Sequence, residues 1–118
     1  MPRNLPYNRA DRIAHQVHHV VSTYVYKNID DPRLTGVQIT RATLTKDLSI
    51  ARIYFYVDGD KPRREAALKA FEDMKGELRH SVAQEIVMRS VPKLEFYIDE
   101  GVENAQRVEE LLEQLKAN

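Results

Sequence analysis

Apolar residues at Ala10, Ile13, Ala14, Val17, Val20, Val21 and Tyr24 recur at three- and four-residue steps. This spacing predicts an amphipathic helix from about Arg9 to Lys27 with one buried stripe. Asn8 can cap it. The run Asn28-Ile29-Asp30-Asp31-Pro32-Arg33 ends it, because proline disfavours helical backbone in the residue before it and Asp and Asn favour turns. From Gly36 the pattern becomes β-branched and mostly alternating, Val37-Gln38-Ile39-Thr40-Arg41-Ala42-Thr43-Leu44-Thr45, with a slip of phase between Ile39 and Ala42 that fits a bulge. Lys46-Asp47 make a turn. Ala51, Ile53, Phe55 and Val57 then alternate with Arg52, Tyr54 and Tyr56, so the two runs read as a hairpin with one face toward the core.

Asp58-Gly59-Asp60 stops the second strand. Asp60 is placed to cap a helix whose first turn tolerates Pro62, since amide donors there are unpaired anyway. Ala66, Ala67, Ala70, Phe71 and Met74 share one face up to about Lys75, and after Gly76 the register resumes with Leu78, Val82, Ala83, Ile86 and Val87. Two helices, or one kinked helix, are therefore predicted to meet at that glycine. After Pro92, Leu94, Phe96 and Ile98 alternate with Glu95, Tyr97 and Asp99 in a third strand. Val108, Leu111, Leu112 and Leu115 mark a short terminal helix. The predicted fold class is α+β, in the order α-β-β-α-α-β plus the terminal helix. A three-stranded sheet cannot hide its apolar face alone, so the helices are expected to cover one face.

A chain of 118 residues suits one domain, here 1–118, with 1–8 as an N-terminal extension and 102–118 as an acidic helix or tail. At 42% hydrophobic and 31% charged residues, the composition fits a globular protein rather than a disordered or membrane-spanning one. The first residues lack the apolar core of a secretory signal, and there is no cysteine for a disulfide or a thiolate site; both suit the cytoplasm. The net charge of zero conceals a split: residues 1–93 carry 16 Lys/Arg against 11 Asp/Glu, and residues 94–118 carry 2 against 7. A basic body points toward a polyanionic partner, although both charge sets can equally serve to solvate the surface.

Three segments, Asp31-Pro32-Arg33-Leu34, Thr45-Lys46-Asp47-Leu48-Ser49-Ile50-Ala51 and Met88-Arg89-Ser90-Val91-Pro92-Lys93-Leu94-Glu95-Phe96, occur in this order with the helical stretches between them. Over about Arg9 to Leu112 the chain resembles the ribosome-binding factor A family, whose fold is similar to the type II K-homology domain. The family's Ala-x-Gly kink reads Met74-Lys75-Gly76 here, so the glycine carries over and the alanine does not. The resemblance implies a non-catalytic RNA binder without cofactor or small-molecule substrate. Its partner would be the small (30S) ribosomal subunit, bound through 16S ribosomal RNA. It would assist late maturation and adaptation to cold, and we expect a monomer with no membrane contact.

The leading RNA-contact candidates are Lys75 and Gly76 with Lys69 and Arg79: a glycine lets a phosphate approach the backbone, and the N-terminus of the helix beyond it would present amide donors. Without the resemblance, a helix breaker among solvated charges is the simpler account. Arg9 and Arg12, with His19 and Arg3, add sequence-independent positive potential. Arg89 combines a binding role with that of a cation at a helix C-terminus. Arg41 and Arg52 read as ordinary exposed strand charges, and Asp31 and Arg33 as architecture of a turn. His15 and His19 stand one helical turn apart, but no HExxH glutamate or cysteine completes a zinc site, so no metal is expected. Tyr54, Tyr56 and Tyr97 can stack on bases, yet the leucine stripe of the terminal helix needs somewhere to pack, and packing under a helix is the favoured role. Phosphate-cradling loops, nucleophile elbows and paired metal carboxylates are missing, so no catalytic residue is assigned. Two rival readings remain: a protein-interaction module using the acidic tail or a strand edge, and a metal-dependent nuclease.

Overall fold

A computed structural model of the chain describes residues 8–28 and 30–117, with 102–107 and 117 described in their backbone alone. Asn8 starts helix α1 (Arg9–Lys27) through a reciprocal cap: its side chain accepts the Asp11 amide at 2.9 Å and the Asp11 carboxylate accepts the Asn8 amide. The buried stripe is Ile13, Ala14, Val17, Val20, Val21 and Val25, with Ala10 and Tyr24 half-buried at its margin. After α1 the Asp31 carboxylate accepts the Arg33 amide at 2.9 Å and starts a single 3-10 turn, Pro32–Leu34, which drives Leu34 into the core.

Strands β1 (Gln38–Leu44) and β2 (Ile50–Tyr56) pair antiparallel, and the register slips between Ile39↔Phe55 and Arg41↔Tyr54. Thr40 is the extra residue of a bulge. The slip lets Ile39 and Ala42, three positions apart, both face inward, and leaves Arg41 and Thr43 on the outer face. The connecting turn is held by Asp47, which accepts the Thr45 hydroxyl at 2.8 Å and the Ser49 hydroxyl at 2.7 Å; Leu48 takes a positive φ of 63° there.

Helix α2 (Lys61–Glu85) is capped by Asp60, which accepts the Arg63 amide at 3.2 Å, and carries Pro62 in its first turn. It is one uninterrupted helix of 25 residues, where two meeting at Gly76 were also expected. Phe71, Leu78 and Val82 are all fully buried, so the apolar stripe continues unbroken past the glycine. A helical glycine costs only about 1 kcal/mol against alanine, less than burying that stripe returns. No atom lies within 4 Å of where a Gly76 Cβ would stand, so the glycine serves no close packing. The helix ends at Glu85. Ile86, extended, turns into the core while Val87 is 98% exposed, so the helical periodicity read through Val87 stops two residues early.

Strand β3 (Lys93–Ile98) pairs with β2 in parallel, giving the sheet order β1-β2-β3. Parallel neighbours need a crossover, and α2 supplies it. Phe71 of α2 lies between Phe55 of β2 and Phe96 of β3, with ring centroids 4.9 and 4.8 Å apart, at the centre of the core that α1 and α2 close over one sheet face. Helix α3 (Glu100–Ala117) leaves from the end of β3. Its Val108, Leu111, Leu112 and Leu115 are all more than half exposed, contrary to the expectation that this stripe packs over the tyrosines. The architecture is α+β, in the order α-β-β-α-β-α.

Candidate nucleic-acid interface

Four of the sequence candidates, Lys69, Lys75, Gly76 and Arg79, fall on α2, and each is committed to the fold to a different degree. Lys69 Nζ lies 2.8 Å from Asp73 Oδ1, and the other Asp73 oxygen accepts Arg33 Nη1 at 2.8 Å. Arg33 in turn grips Asp31 with Nη2 at 2.9 Å and Nε at 3.1 Å, so alternating charges run from α2 to the turn after α1. Hydrogen bonding from Arg33 lowers the Asp31 pKa from its ordinary value; Lys69, then Arg33, lowers that of Asp73. Arg33 is held more strongly protonated than usual, first by Asp31 and then by Asp73. Lys75 Nζ sits 2.9 Å from Glu72 one turn earlier. Such exposed pairs stabilise by about 0–1 kcal/mol, so an incoming phosphate can displace the carboxylate at little cost.

Arg79 is different. Its Nε donates to the Pro92 carbonyl at 3.1 Å and its Nη2 to the Val91 carbonyl at 3.1 Å, tying α2 to the entry of β3. Gly76 is exposed on the helix surface. Because the helix does not break there, no new N-terminus follows the glycine, and the amides that were expected to face a phosphate belong to the helix interior. What Gly76 offers is a bare strip of backbone. Beside it Glu77 accepts the hydroxyl of Tyr24 on α1. The Tyr24 pKa is pushed up to about 12 by burial and then by that bond and the charge of Glu77.

Arg9 and Arg12 are exposed near the start of α1 and form no ion pair with any described residue. At 1.5 Å rise per residue they lie roughly 20 Å along the helix from Tyr24, and so from the Gly76 corner that Tyr24 touches. They make a second patch. Arg89 is exposed in the loop between α2 and β3, beyond the helix end, so a role as a cation on the last helical turn does not apply. Arg3 lies outside the described residues. His15 and His19 are exposed on α1, while Nε2 of His18 lies 3.0 Å from the Ile39 carbonyl. Among the described residues no three His, Asp or Glu side chains gather as a metal would need.

The outer face of the sheet holds what sequence reasoning set aside. Arg41 Cζ lies 4.0 Å above the Tyr54 ring, and Tyr54 stacks on Tyr97 with centroids 5.6 Å apart and planes at 28°. One row further, Arg52 Nε is 3.7 Å from Glu95, which also accepts the Tyr97 hydroxyl at 2.6 Å. That bond is the main cause lowering the Glu95 pKa and raising that of Tyr97. Strand alternation had already put Tyr54 and Tyr97 on this side; only the demand of the leucine stripe argued for covering them.

The family model described as ribosome-binding factor A matches residues 9–112, nearly the whole chain and every element that builds these surfaces. The chain belongs to the ribosome-binding factor A family. A family relative from Desulfatibacillum aliphaticivorans is 34% identical over 107 residues, covering 91% of this chain and 87% of its own. The crystal structure of ribosome-binding factor A from Thermus thermophilus is similar over 78% of this chain and 97% of that one, with TM-score 0.67 and 25% identity. A homology model of Thermus thermophilus ribosome-binding factor A, fitted into a cryo-EM map of a 30S complex with that factor, is similar with TM-score 0.61 and 26% identity, over 73% and 90% of the two chains.

Proposed function

We propose that the chain, as one K-homology-like RNA-binding domain over residues 1–118, binds the small (30S) ribosomal subunit through 16S ribosomal RNA and assists its late maturation, most needed in the cold. It is a non-catalytic, monomeric factor of the cytoplasm that requires no cofactor. The observation that carries this reading is the relative of the same fold, 26% identical, fitted into a 30S complex. Lys69, Lys75 and Gly76, with Arg79 and Arg89 near the entry to β3, form the primary contact, and Arg9 and Arg12 add long-range attraction. Lys69 and Lys75 exchange their carboxylate partners for phosphates, and the bare backbone at Gly76 admits the RNA closely. The factor advances assembly by binding one conformation of the RNA better than its competitors, since a ligand shifts an equilibrium only by its differential affinity.

Co-sedimentation tests it. The purified chain is expected to pellet with free small subunits and with protein-free 16S ribosomal RNA. Pelleting with subunits but not with the bare RNA would contradict the RNA reading in favour of a ribosomal-protein contact, and pelleting with neither would contradict it altogether.

A further inference from the structure

The register of the sheet sets three outward side chains in one line: Arg41 of β1 opposite Tyr54 of β2, and Tyr54 opposite Tyr97 of β3. Arg41 occupies one face of the Tyr54 ring at 4.0 Å and Tyr97 the other, so the line is a stacked column that starts in a guanidinium and continues through two rings. β3 is an edge strand, and no described strand flanks it on the far side. Among the described side chains none stacks on the far face of Tyr97, which is 42% exposed even with α3 beginning three residues later. Exposed aromatics are enriched at binding surfaces relative to the rest of a protein's exterior.

The charges around the column identify what fits. Outward on the three strands stand Arg41, Arg52 and Lys93 against Glu95, which is engaged by Arg52 at 3.7 Å and by the Tyr97 hydroxyl at 2.6 Å; Asp99, next on this face beyond the end of β3, accepts the Thr40 hydroxyl and, at 3.0 Å, the Gly101 amide. A planar π surface with the Arg41 guanidinium and the Lys93 ammonium further along the same face suits a flat, electron-rich ring attached to an anionic backbone. We propose that the open face of Tyr97 is a stacking site for an unpaired nucleobase of single-stranded RNA, whose phosphates run past Lys93 and Arg41. Stacking on an existing column costs little ordering, because Arg41 and Tyr54 hold the Tyr97 ring in place before the base arrives. A duplex has no free base to offer, so the site selects unpaired segments. This surface is on the sheet face opposite α1 and α2 and is separate from the α2 contact proposed above.

The test uses the whole chain with a dye-labelled oligoadenylate and an RNA duplex of equal length as probes. Tyr97→Ala is expected to weaken oligoadenylate binding roughly tenfold or more, while Tyr97→Phe, which keeps the ring, stays within about twofold and duplex binding is unmoved. In the unmodified chain, saturating oligoadenylate should shift the Tyr97 ring protons upfield in the NMR spectrum, a readout that does not depend on a variant folding. Unchanged affinity in Tyr97→Ala, an equal loss in both variants, or no ring shift overturns the proposal. A Tyr97→Ala chain that loses subunit association, from a parent that never bound oligoadenylate, also overturns it and assigns the face to a protein. A chain that fails to pellet with small subunits yet binds oligoadenylate through Tyr97 sinks the assembly reading and leaves this one standing.

Discussion

The guanidinium of Arg79 on α2 holds the carbonyl of Pro92, with Nε 3.1 Å from the oxygen, and so fixes the loop that delivers the chain into β3. A residue that sequence alone suggests as a phosphate contact is thereby also a clamp between the crossover helix and the edge strand. Removing it leaves the Val91 and Pro92 carbonyls without their charged donor. Arg79→Ala is expected to lower stability by about 1–2 kcal/mol in urea denaturation. Arg79→Lys should recover only part of this, because one ammonium cannot reproduce the planar fork that serves two carbonyls. An alanine variant as stable as the parent would remove the clamp from the account.

Gly76 separates the helix from the interface. Its surroundings are open and its place is inside a continuous helix, so Gly76→Ala should raise stability by about 0.5–1 kcal/mol through the higher helix propensity of alanine. If RNA approaches the bare backbone there, the same variant should bind small subunits more weakly. Thermal unfolding and subunit pelleting on one preparation read both effects, and a variant that gains stability without losing affinity argues that the glycine makes no contact.

The Asp31–Arg33–Asp73 arrangement predicts an acid dependence with a definite sign. Both carboxyls titrate below their ordinary value of 3.8 in the native chain. The stability they contribute is present above the unfolded carboxylate value of about 3.9 and is lost as pH falls through the depressed native values. Following the side-chain carboxyl signals by NMR should show both titrating below 3.8 in the parent. In Arg33→Ala, Asp31 should move up most, since Arg33 is its main partner, and Asp73 less, since Lys69 remains. Identical titrations in parent and variant would contradict the geometry.

Much of this architecture is legible in the residue pattern, and the exceptions share a physical cause. The stripe of α1, the Asn8 and Asp60 caps, the bulge after Ile39 and the alternation of all three strands follow from local periodicity and local hydrogen bonding, which a linear sequence displays. The continuity of α2 past Gly76 does not, because a glycine raises the cost of a helix by an amount that tertiary burial of Leu78 and Val82 outweighs. Neither does the Arg79 clamp, formed to main-chain atoms 12 and 13 residues away that carry no signature in side-chain identity. The Arg41–Tyr54–Tyr97 column is an intermediate case. Alternation puts each residue on the outer face, but their alignment depends on the one-residue slip of β1 and on β3 joining β2 in parallel.

The central claim is that cations on α2 meet the phosphates of ribosomal RNA, and salt dependence tests it most directly. Lys69→Gln with Lys75→Gln removes the exposed partner of Asp73 and the half-buried partner of Glu72, so stability should change by no more than about 1 kcal/mol. If both lysines neutralise phosphates, the dissociation constant for small subunits, measured at a series of salt concentrations, rises in the variant. The slope of log affinity against log salt flattens by about 1.5–2. A double variant that matches the parent in both affinity and slope would contradict the claim.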